Sequence, residues 1–503
     1  MKLEQYDKLC RVCDDILMSQ HSTIATKSIP WLHVLNAHPT TQEKYVNIWD
    51  KTKKNTHVSV LRSIVRFLKN IISGYSSPKF SSSHCEIKKT DVLIFSHLIN
   101  ENQLGKDIDF YFGDRTSDLK LDGVASQIVL INHLGIPGAN LAKFWNNNST
   151  PRIFLANKLN VKEELMILFR LVKESYRLFK CSYNVRDSWI KRIYNTAAKA
   201  AISFESVNAL RFSYQVDNLI RKLEPTSILT TMEGHAFERL AFYSARQVNP
   251  DIKCFGYHHT ILFPHQHSIK RPLGSDYDPD IILTAGNKTL NTLHQAYQEK
   301  QVDFLNIGIH RSSCPETIYE VKKPESAWNC LVLPDGNISE CLDLCCFAYY
   351  AAINIPKVKF VIRLHPLNSI AMLISKNKIF EQLPNNLAFS NNDDMQDDFR
   401  FSKWALYRGS GASIHSVMAG CRPIYVSSFE SISIDPLFKV TSGRGTVLDV
   451  DGLKNIIFKD MLLKNDDFFK DLEEVFDYCK QYFMPADNSG LKERVKSTYK
   501  KKS

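Results

Sequence analysis

An apolar run that ends abruptly at a proline constrains this chain more than any other feature. Val358, Phe360, Val361, Ile362 and Leu364 form a short, nearly continuous apolar stretch, the pattern of a parallel strand covered on both faces. The stretch closes on Arg363-Leu364-His365-Pro366. Proline cannot continue the ladder, and it pushes His365 toward extended backbone. A guanidinium and an imidazole therefore stand at the carboxyl end of a buried strand, the place where ligands bind in open α/β sheets. Taken alone, the same pattern also fits a strand that merely stops at a proline beside a solvated histidine.

Runs of the same kind recur along the chain. Asp91–Ser96, Ser126–Asn132, Ser227–Thr231, Ile252–Tyr257, Asp280–Thr284 and residues 302–308 read as buried strands, with Pro151–Leu155 a weaker one. Asn329–Leu333, Lys403–Tyr407 and Cys421–Val426 continue the series. Helical stretches separate them, and such alternation builds parallel sheets through right-handed crossovers. The 503 residues exceed one ordinary core. The expectation is an α/β chain of two Rossmann-like domains facing across a cleft. A first domain spans residues 91–312, a polar stretch at Arg311–Ser326 links, and a second spans 326–503. Residues 1–90 read as a mostly helical N-terminal extension. Within it Val58, Leu61, Ile64, Val65, Leu68, Ile71 and Ile72 recur at helical spacing between Arg62, Arg66 and Lys69; this fits a helix packed on its own domain or one lying at a membrane interface. Ser76–Pro78 and Ser81–Ser83 read as a loop.

The net charge of +11 is spread along the chain, and no basic stripe is interleaved with stacking aromatics, which argues against nucleic acid. Only Lys492 to Lys502 is clustered; such a tail suits an anionic membrane surface or a phosphorylated ligand, or is simply solvated. The 12 cysteines are irregularly spaced and residues 1–20 lack a basic-then-apolar layout, so the chain is expected in a reducing cytoplasm with free thiols, with peripheral contact at the inner face of the membrane as one option. Cys10 and Cys13 form a lone CxxC without a matching pair.

Three strand ends converge in the second half: Pro334–Glu340, Arg363–Pro366 and Arg408–Ser413. The third is a Gly-Ser-Gly turn opening a helix, whose amides and positive dipole end suit a phosphate. Gly409 and Gly411 allow close approach, and Ser410 and Ser413 add hydroxyls. The array Pro334-Asp335-Gly336 with Glu340, then Arg363-Leu364-His365-Pro366, then Gly409-Ser410-Gly411-Ala412-Ser413 resembles the donor domain of metal-independent GT-B glycosyltransferases. It is most similar to bacterial enzymes that use CMP-activated acidic sugars, the sialyl-, polysialyl- and Kdo-transferases. In the first half, Asp109–Asp114, Thr231–Arg239 and Gly256–His259 resemble a surface-carbohydrate biosynthesis family of the same organisation. The likeness covers residues 91–430.

The resemblance implies that His365 contacts the CMP phosphate and that Ser410 and Ser413 complete its cradle. Arg363 adds charge, while Pro334, Asp335, Gly336, Asn337, Glu340 and Pro366 border the nucleotide beside Gly409 and Gly411. Donors aimed at the departing phosphate stabilise the transition state, and a protonated imidazole would serve best. It also implies a general base in an acidic-acidic-Gly motif, matched here by Met232-Glu233-Gly234 with Met in place of the first acid. Burial at that strand end would raise the pKa of Glu233 to a useful value; alternatively Glu233 is a helix N-terminal carboxylate. Asp114 and His235 are further candidate bases, Glu238 either faces the acceptor or pairs with Arg239 and caps structure, and His258 and His259 stand on the acceptor side or in loop structure. The spacing of these histidines suits no closed zinc site, Asp107-Ile108-Asp109 is a chance match to a metal-binding DxD pattern, and the acidic run Asp393–Asp398 reads as solvated. No cofactor is expected beyond the CMP-sugar donor itself. The expected function is inverting transfer of a sialic-acid-like or Kdo-type sugar to a capsule, lipopolysaccharide or O-antigen glycan, free or lipid-linked. The alternatives are a nucleotide-diphosphate or polyol-phosphate donor, for which Arg408 and Arg422 supply charge, or a non-catalytic partner of the same fold.

Overall fold

A computed structural model describes residues 2–35, 45, 48, 80–82, 89–145, 152–297, 302–310, 315–321, 323–324, 328–428 and 432–499. The amphipathic pattern at Val58–Ile72, the serine loop at Ser76–Pro78, part of the linker and Lys500–Lys502 lie outside these residues.

The first sheet contains β1 (Phe80–Ser82), β2 (Val92–Leu98), β3 (Ser126–Asn132), β4 (Arg152–Leu155), β5 (Ser227–Thr231), β6 (Lys253–His258), β7 (Ile281–Thr284) and β8 (Asp303–Asn306), in the order β1-β4-β3-β2-β5-β6-β7-β8. All neighbours run parallel except β1, which pairs antiparallel with β4. The second sheet contains β9 (Asn329–Leu333), β10 (Phe360–Ile362), β11 (Leu387–Phe389), β12 (Ser402–Tyr407), β13 (Arg422–Val426) and β14 (Gly445–Val447), in the order β11-β10-β9-β12-β13-β14, all parallel. These are the two Rossmann-like α/β domains expected from the strand–helix alternation. Three strands escape the sequence pattern. β1 falls in the segment read as a serine loop, and β11 and β14 are three-residue edge strands, too short to show an apolar run.

One apolar cluster joins the domains. It takes Tyr6, Leu9 and Ile16 from the N-terminal helix Leu3–Met18, Ile261 and Phe263 from the loop after β6, and Leu333, Tyr407, Ile414 and Phe476 from the second half. The N-terminal helix also anchors the loop after β6 through Asp14, which binds His267 Nε2 and Arg271 Nη1, each at 2.8 Å. That loop supports the site from behind: Ser268 donates to Gly234 O, and Gly234, at φ +90°, has no room for a Cβ beside Ser268.

The last described helix packs on the first domain. Helix Ser489–Tyr499 buries Leu491 and Val495 in the apolar cluster that also holds Val92, Ile128 and Ile281, and Lys492 and Lys496 both pair with Asp122, at 2.9 and 3.1 Å. This part of the expected basic tail is therefore a docked helix, held by apolar burial and an acidic partner rather than solvated.

Candidate active site

Both sheets offer a ligand the same kind of place. In the second, the chain lays β9, β10 and β11 outward and then returns to put β12, β13 and β14 on the other side of β9. Where the order reverses, a crevice opens at the carboxyl ends of β9 and β12, the position ligands take in such sheets. Pro334–Asn337 leave β9 there and Arg408–Ser413 leave β12, with Arg363–Pro366 beside them after β10. Asp335 ties these loops together. Its Oδ1 accepts the Asn337 N–H at 2.8 Å, and its carbonyl accepts Asn368 Nδ2 at 3.0 Å. A Cβ on Gly409 would lie 3.5 Å from its Oδ2, and one on Gly336 would lie 3.0 Å from His365 Nδ1.

His365 is half-buried, and its Nδ1 accepts the Leu367 N–H at 3.2 Å. An amide only donates, so the proton of the neutral ring sits on Nε2. Burial pulls the pKa of His365 below its ordinary value, against the raising influence of Asp335. The ring is thus a neutral Nε2–H donor, where an imidazolium was expected.

Several residues expected around a nucleotide are engaged within the domain instead. Arg363 donates to Asp398 at 2.6 Å and to the carbonyls of Asn392 and Asp393 at 3.0 and 2.9 Å; its partner Asp398 is buried, so that end of the acidic run is not solvated. Glu340 is buried and paired with Arg408, whose Nη1 also donates to Val426 O at 3.1 Å. Arg422 pairs with Asp460 and Asp471 at 2.7 and 2.6 Å. Asn337 caps helix Ile338–Asn354. Ser413 is fully buried and donates to Ser410 O at 2.8 Å, while Ser410 Oγ accepts the Ala412 N–H at 3.3 Å, so the turn satisfies part of its own amide seat. Pro334 is buried and Pro366 is exposed. The groups left to meet a ligand are His365, Gly336, Gly409, Ser410 and Gly411.

In the first sheet the order reverses between β2 and β5, and His97 on β2 bridges that gap to Thr231 on β5, Nε2 to Oγ1, at 3.0 Å. Thr231 donates to Glu238 at 3.3 Å, so it accepts from His97 Nε2–H. His97 Nδ1 then accepts from His133 Nε2–H at 3.1 Å. A directed chain runs from exposed His133 through His97 and Thr231 to a carboxylate. Glu238 itself is fully buried and accepts the N–H groups of Glu233, Gly234 and His235 at 2.9, 2.8 and 2.8 Å. It closes the start of helix Ala236–Val248, so it caps structure rather than facing an acceptor. Burial lifts its pKa to about 7, with His235 and the backbone donors opposing.

Glu233 sits just outside this cap, 3.6 Å from His235 Nε2 and 4.0 Å from His259 Nε2. Burial pushes its pKa up, but His235, then His259 and His258, outweigh that and hold the carboxyl below its usual range. The rise expected from burial is therefore reversed. His235 moves oppositely: burial lowers it, and Glu233 and Glu238 win, raising it above its ordinary value. His259 packs edge-on against Tyr111 at 4.8 Å. Asp114 stands apart from this cluster, 3.4 Å from His310 Nδ1. Asp109 of the DxD match accepts from Ser96 Oγ at 2.8 Å and from the Tyr111 and Phe112 amides at 2.9 Å. Among the described residues no three His, Cys, Asp or Glu side chains are placed to share a metal ion.

His258 makes a pH-dependent prediction. It is fully buried, its Nδ1–H donates to Met232 O at 2.8 Å, and its Nε2 has no hydrogen-bond partner. Burial drives its pKa down from 6.5 to about 4. Between those values the unfolded chain binds a proton that the native chain refuses, so stability falls as pH falls, by about 3 kcal/mol over the interval. Chemical denaturation across this range should show a shallower acid slope for His258→Gln than for the natural chain; equal slopes would refute the assignment.

The two carboxyl edges meet. Ile261, three residues past β6, lies against the turn after β12, where a Cβ on Gly411 would stand 3.5 Å from its Cγ2. No family model matches the chain, and no curated protein matches it in sequence. Among solved structures it is similar to the calicheamicin glycosyltransferase CalG4, at 11% identity over 83% of this chain and 100% of that one with a TM-score of 0.44. It is also similar to the UDP-GlcNAc 2-epimerase of Neisseria meningitidis bound to UDP-GlcNAc, at 8% identity over 82% and 100% with a TM-score of 0.45. The glycosyltransferase SnogD of Streptomyces nogalater matches at 11% over 82% and 100%, with a TM-score of 0.42. At such scores these likenesses carry no weight for the reaction, which has to be read from the residues.

The sequence reading passes over His97 and His133, and it names Tyr111, Thr231 and Asp335 only as members of longer motifs. His97 and His133 each lie one residue past an apolar run, at Ser96 and at Asn132. A polar residue at the carboxyl end of a buried strand is the signal that would have found them.

Proposed function

We propose that this chain is an inverting glycosyltransferase that moves an acidic sugar, sialic-acid-like or Kdo, from a CMP-activated donor to a surface glycan. The observation that carries the reading is the meeting of two switch-point crevices, one lined by glycine, serine and a neutral histidine donor, the other by a carboxylate–imidazole pair. In this reading an acceptor hydroxyl attacks the anomeric carbon from the face opposite the phosphate. The bond to the phosphate oxygen breaks, and its electron pair stays on CMP. His365 Nε2–H, Ser410 and the amides of the Gly409–Gly411 turn receive that charge where it grows. The proton of the acceptor passes to His235, and Glu233 stabilises the imidazolium so formed, as a carboxylate does for the histidine of an acid–base pair.

The fate of the arginines supports a monophosphate donor. A nucleotide-diphosphate sugar places two negative charges on its phosphates where a CMP-sugar places one, the second charge of the CMP-sugar being the carboxylate on the sugar, and Arg363, Arg408 and Arg422 are each neutralised by an aspartate or glutamate. Thermal-shift titration with CMP, CDP, UDP and GDP tests this. CMP should give the largest shift, about 2.7 kcal/mol of added stability at a hundred times its dissociation constant. A larger shift with UDP or GDP at equal concentration would overturn the donor assignment.

A further inference from the structure

Helix Val161–Tyr183 is 23 residues long, about 34 Å, and packs on the first domain by one face only. Its inward face carries Ile167, Leu171 and Leu178 together with two buried acids. Glu164 binds Arg211 Nε at 2.7 Å, and Glu174 binds Arg177 Nη2 at 2.6 Å and Thr26 at 2.7 Å. The outward face has a different composition. Leu165, Phe169, Val172, Tyr176 and Tyr183 are 50, 70, 50, 71 and 77% exposed. Lys162, Arg170, Lys173 and Lys180 are exposed among them, and no acidic residue of the helix is. An outward helix face usually mixes both signs with few large apolar groups. This one unites apolar and aromatic side chains with cations alone, the composition of a helix lying in a bilayer interface.

We propose that the outer face of helix Val161–Tyr183 docks this chain on an anionic lipid bilayer. Phe169, Leu165 and Val172 enter the acyl boundary, Tyr176 and Tyr183 sit at headgroup depth, and the lysines reach outward along their stems to the phosphates. Charge complementarity selects this occupant, because Glu164 and Glu174 turn inward to arginines and the third acid, Glu163, is half-buried in the first turn, so that the fully exposed charges of the outer face are all cations. No helix among the described residues is long and apolar enough to cross a membrane, so contact would be superficial. The surface differs from both membrane candidates legible in the sequence, the 58–72 pattern and the C-terminal lysines. It stands independently of the donor reading.

The test is co-sedimentation of the full chain with phosphatidylcholine vesicles, with and without phosphatidylglycerol, at low and high salt. The natural chain should bind only the anionic vesicles and release in salt. Lys162→Glu/Lys173→Glu/Lys180→Glu should bind on the order of a hundredfold more weakly, and Phe169→Glu/Tyr176→Glu on the order of tenfold more weakly. All five substituted positions are exposed, so each variant should keep the thermal unfolding midpoint of the natural chain; each decides on its own should the other lose it. Absence of binding by the natural chain, equal binding to both vesicle types, or unchanged binding by the variants would overturn the proposal. So would a natural-chain dimer in sedimentation velocity that the variants abolish while vesicle binding stays the same, since the face would then belong to a second copy.

Discussion

Replacing Glu233 with Gln should lower sugar transfer by on the order of 10²- to 10⁴-fold while the CMP-dependent thermal shift persists. The carboxylate stands 3.6 Å from His235 Nε2, in the first domain, whereas the groups assigned to the phosphate belong to the second. The pH profile then separates two roles for Glu233. If His235 takes the proton, activity rises with pH as its imidazolium deprotonates, and kcat/KM reports that pKa. Glu233 raises the His235 pKa, and burial lowers it. Removing the carboxylate leaves burial opposed only by Glu238, so the ascending limb should begin above the ordinary histidine range in the natural chain and shift to lower pH in Glu233→Gln. A base on Glu233 itself predicts instead a limb set by a carboxyl held below its usual range, with no histidine-range limb in either chain. His235→Gln should lose the limb altogether. Unchanged transfer in Glu233→Gln would remove this pair from the reaction.

How much of this was legible in the sequence depends on what kind of interaction places a residue. Strand positions were legible because burial on both faces leaves a continuous apolar run; Ser126–Asn132 and Asn329–Leu333 coincide with β3 and β9. Convergence of Pro334–Asn337, His365 and Gly409–Gly411 followed from their shared position at parallel strand ends. The orientation of charged side chains did not follow. Arg363 and Glu340 have the right types and positions to meet a nucleotide, yet each turns to a partner far along the chain, Asp398 and Arg408, that periodicity cannot pair with it. The direction of the Glu233 pKa was missed for the same reason: burial was visible in the strand pattern, but the encircling histidines came from a neighbouring strand and a following turn. The basic tail shows the same limit, because Asp122 lies 370 and 374 positions before Lys492 and Lys496.

The largest stability effect should come from the pair under the donor crevice. Arg408 leaves β12 where Glu340 opens helix Ile338–Asn354; the two are 5% and 3% exposed and bound to each other. Removing one partner leaves a charge buried without compensation, so Glu340→Ala or Arg408→Ala should each destabilise the chain by about 3–5 kcal/mol, measured by denaturant unfolding. The double replacement Glu340→Leu/Arg408→Met buries no charge, and should recover most of that loss, since exchanging a buried pair for apolar groups of similar volume is often close to neutral. If Arg408 instead served the donor's phosphate, the double variant would fold but lose the CMP-dependent shift. Retention of both stability and shift is the expected result. The pair then sets the angle between the Asp335–Asn337 turn and the Gly409–Gly411 turn, and ligand contact falls to His365 and Ser410 on either side. A double variant as unstable as the single ones would mean that the ion pair, and not the filling of its volume, holds the two turns together.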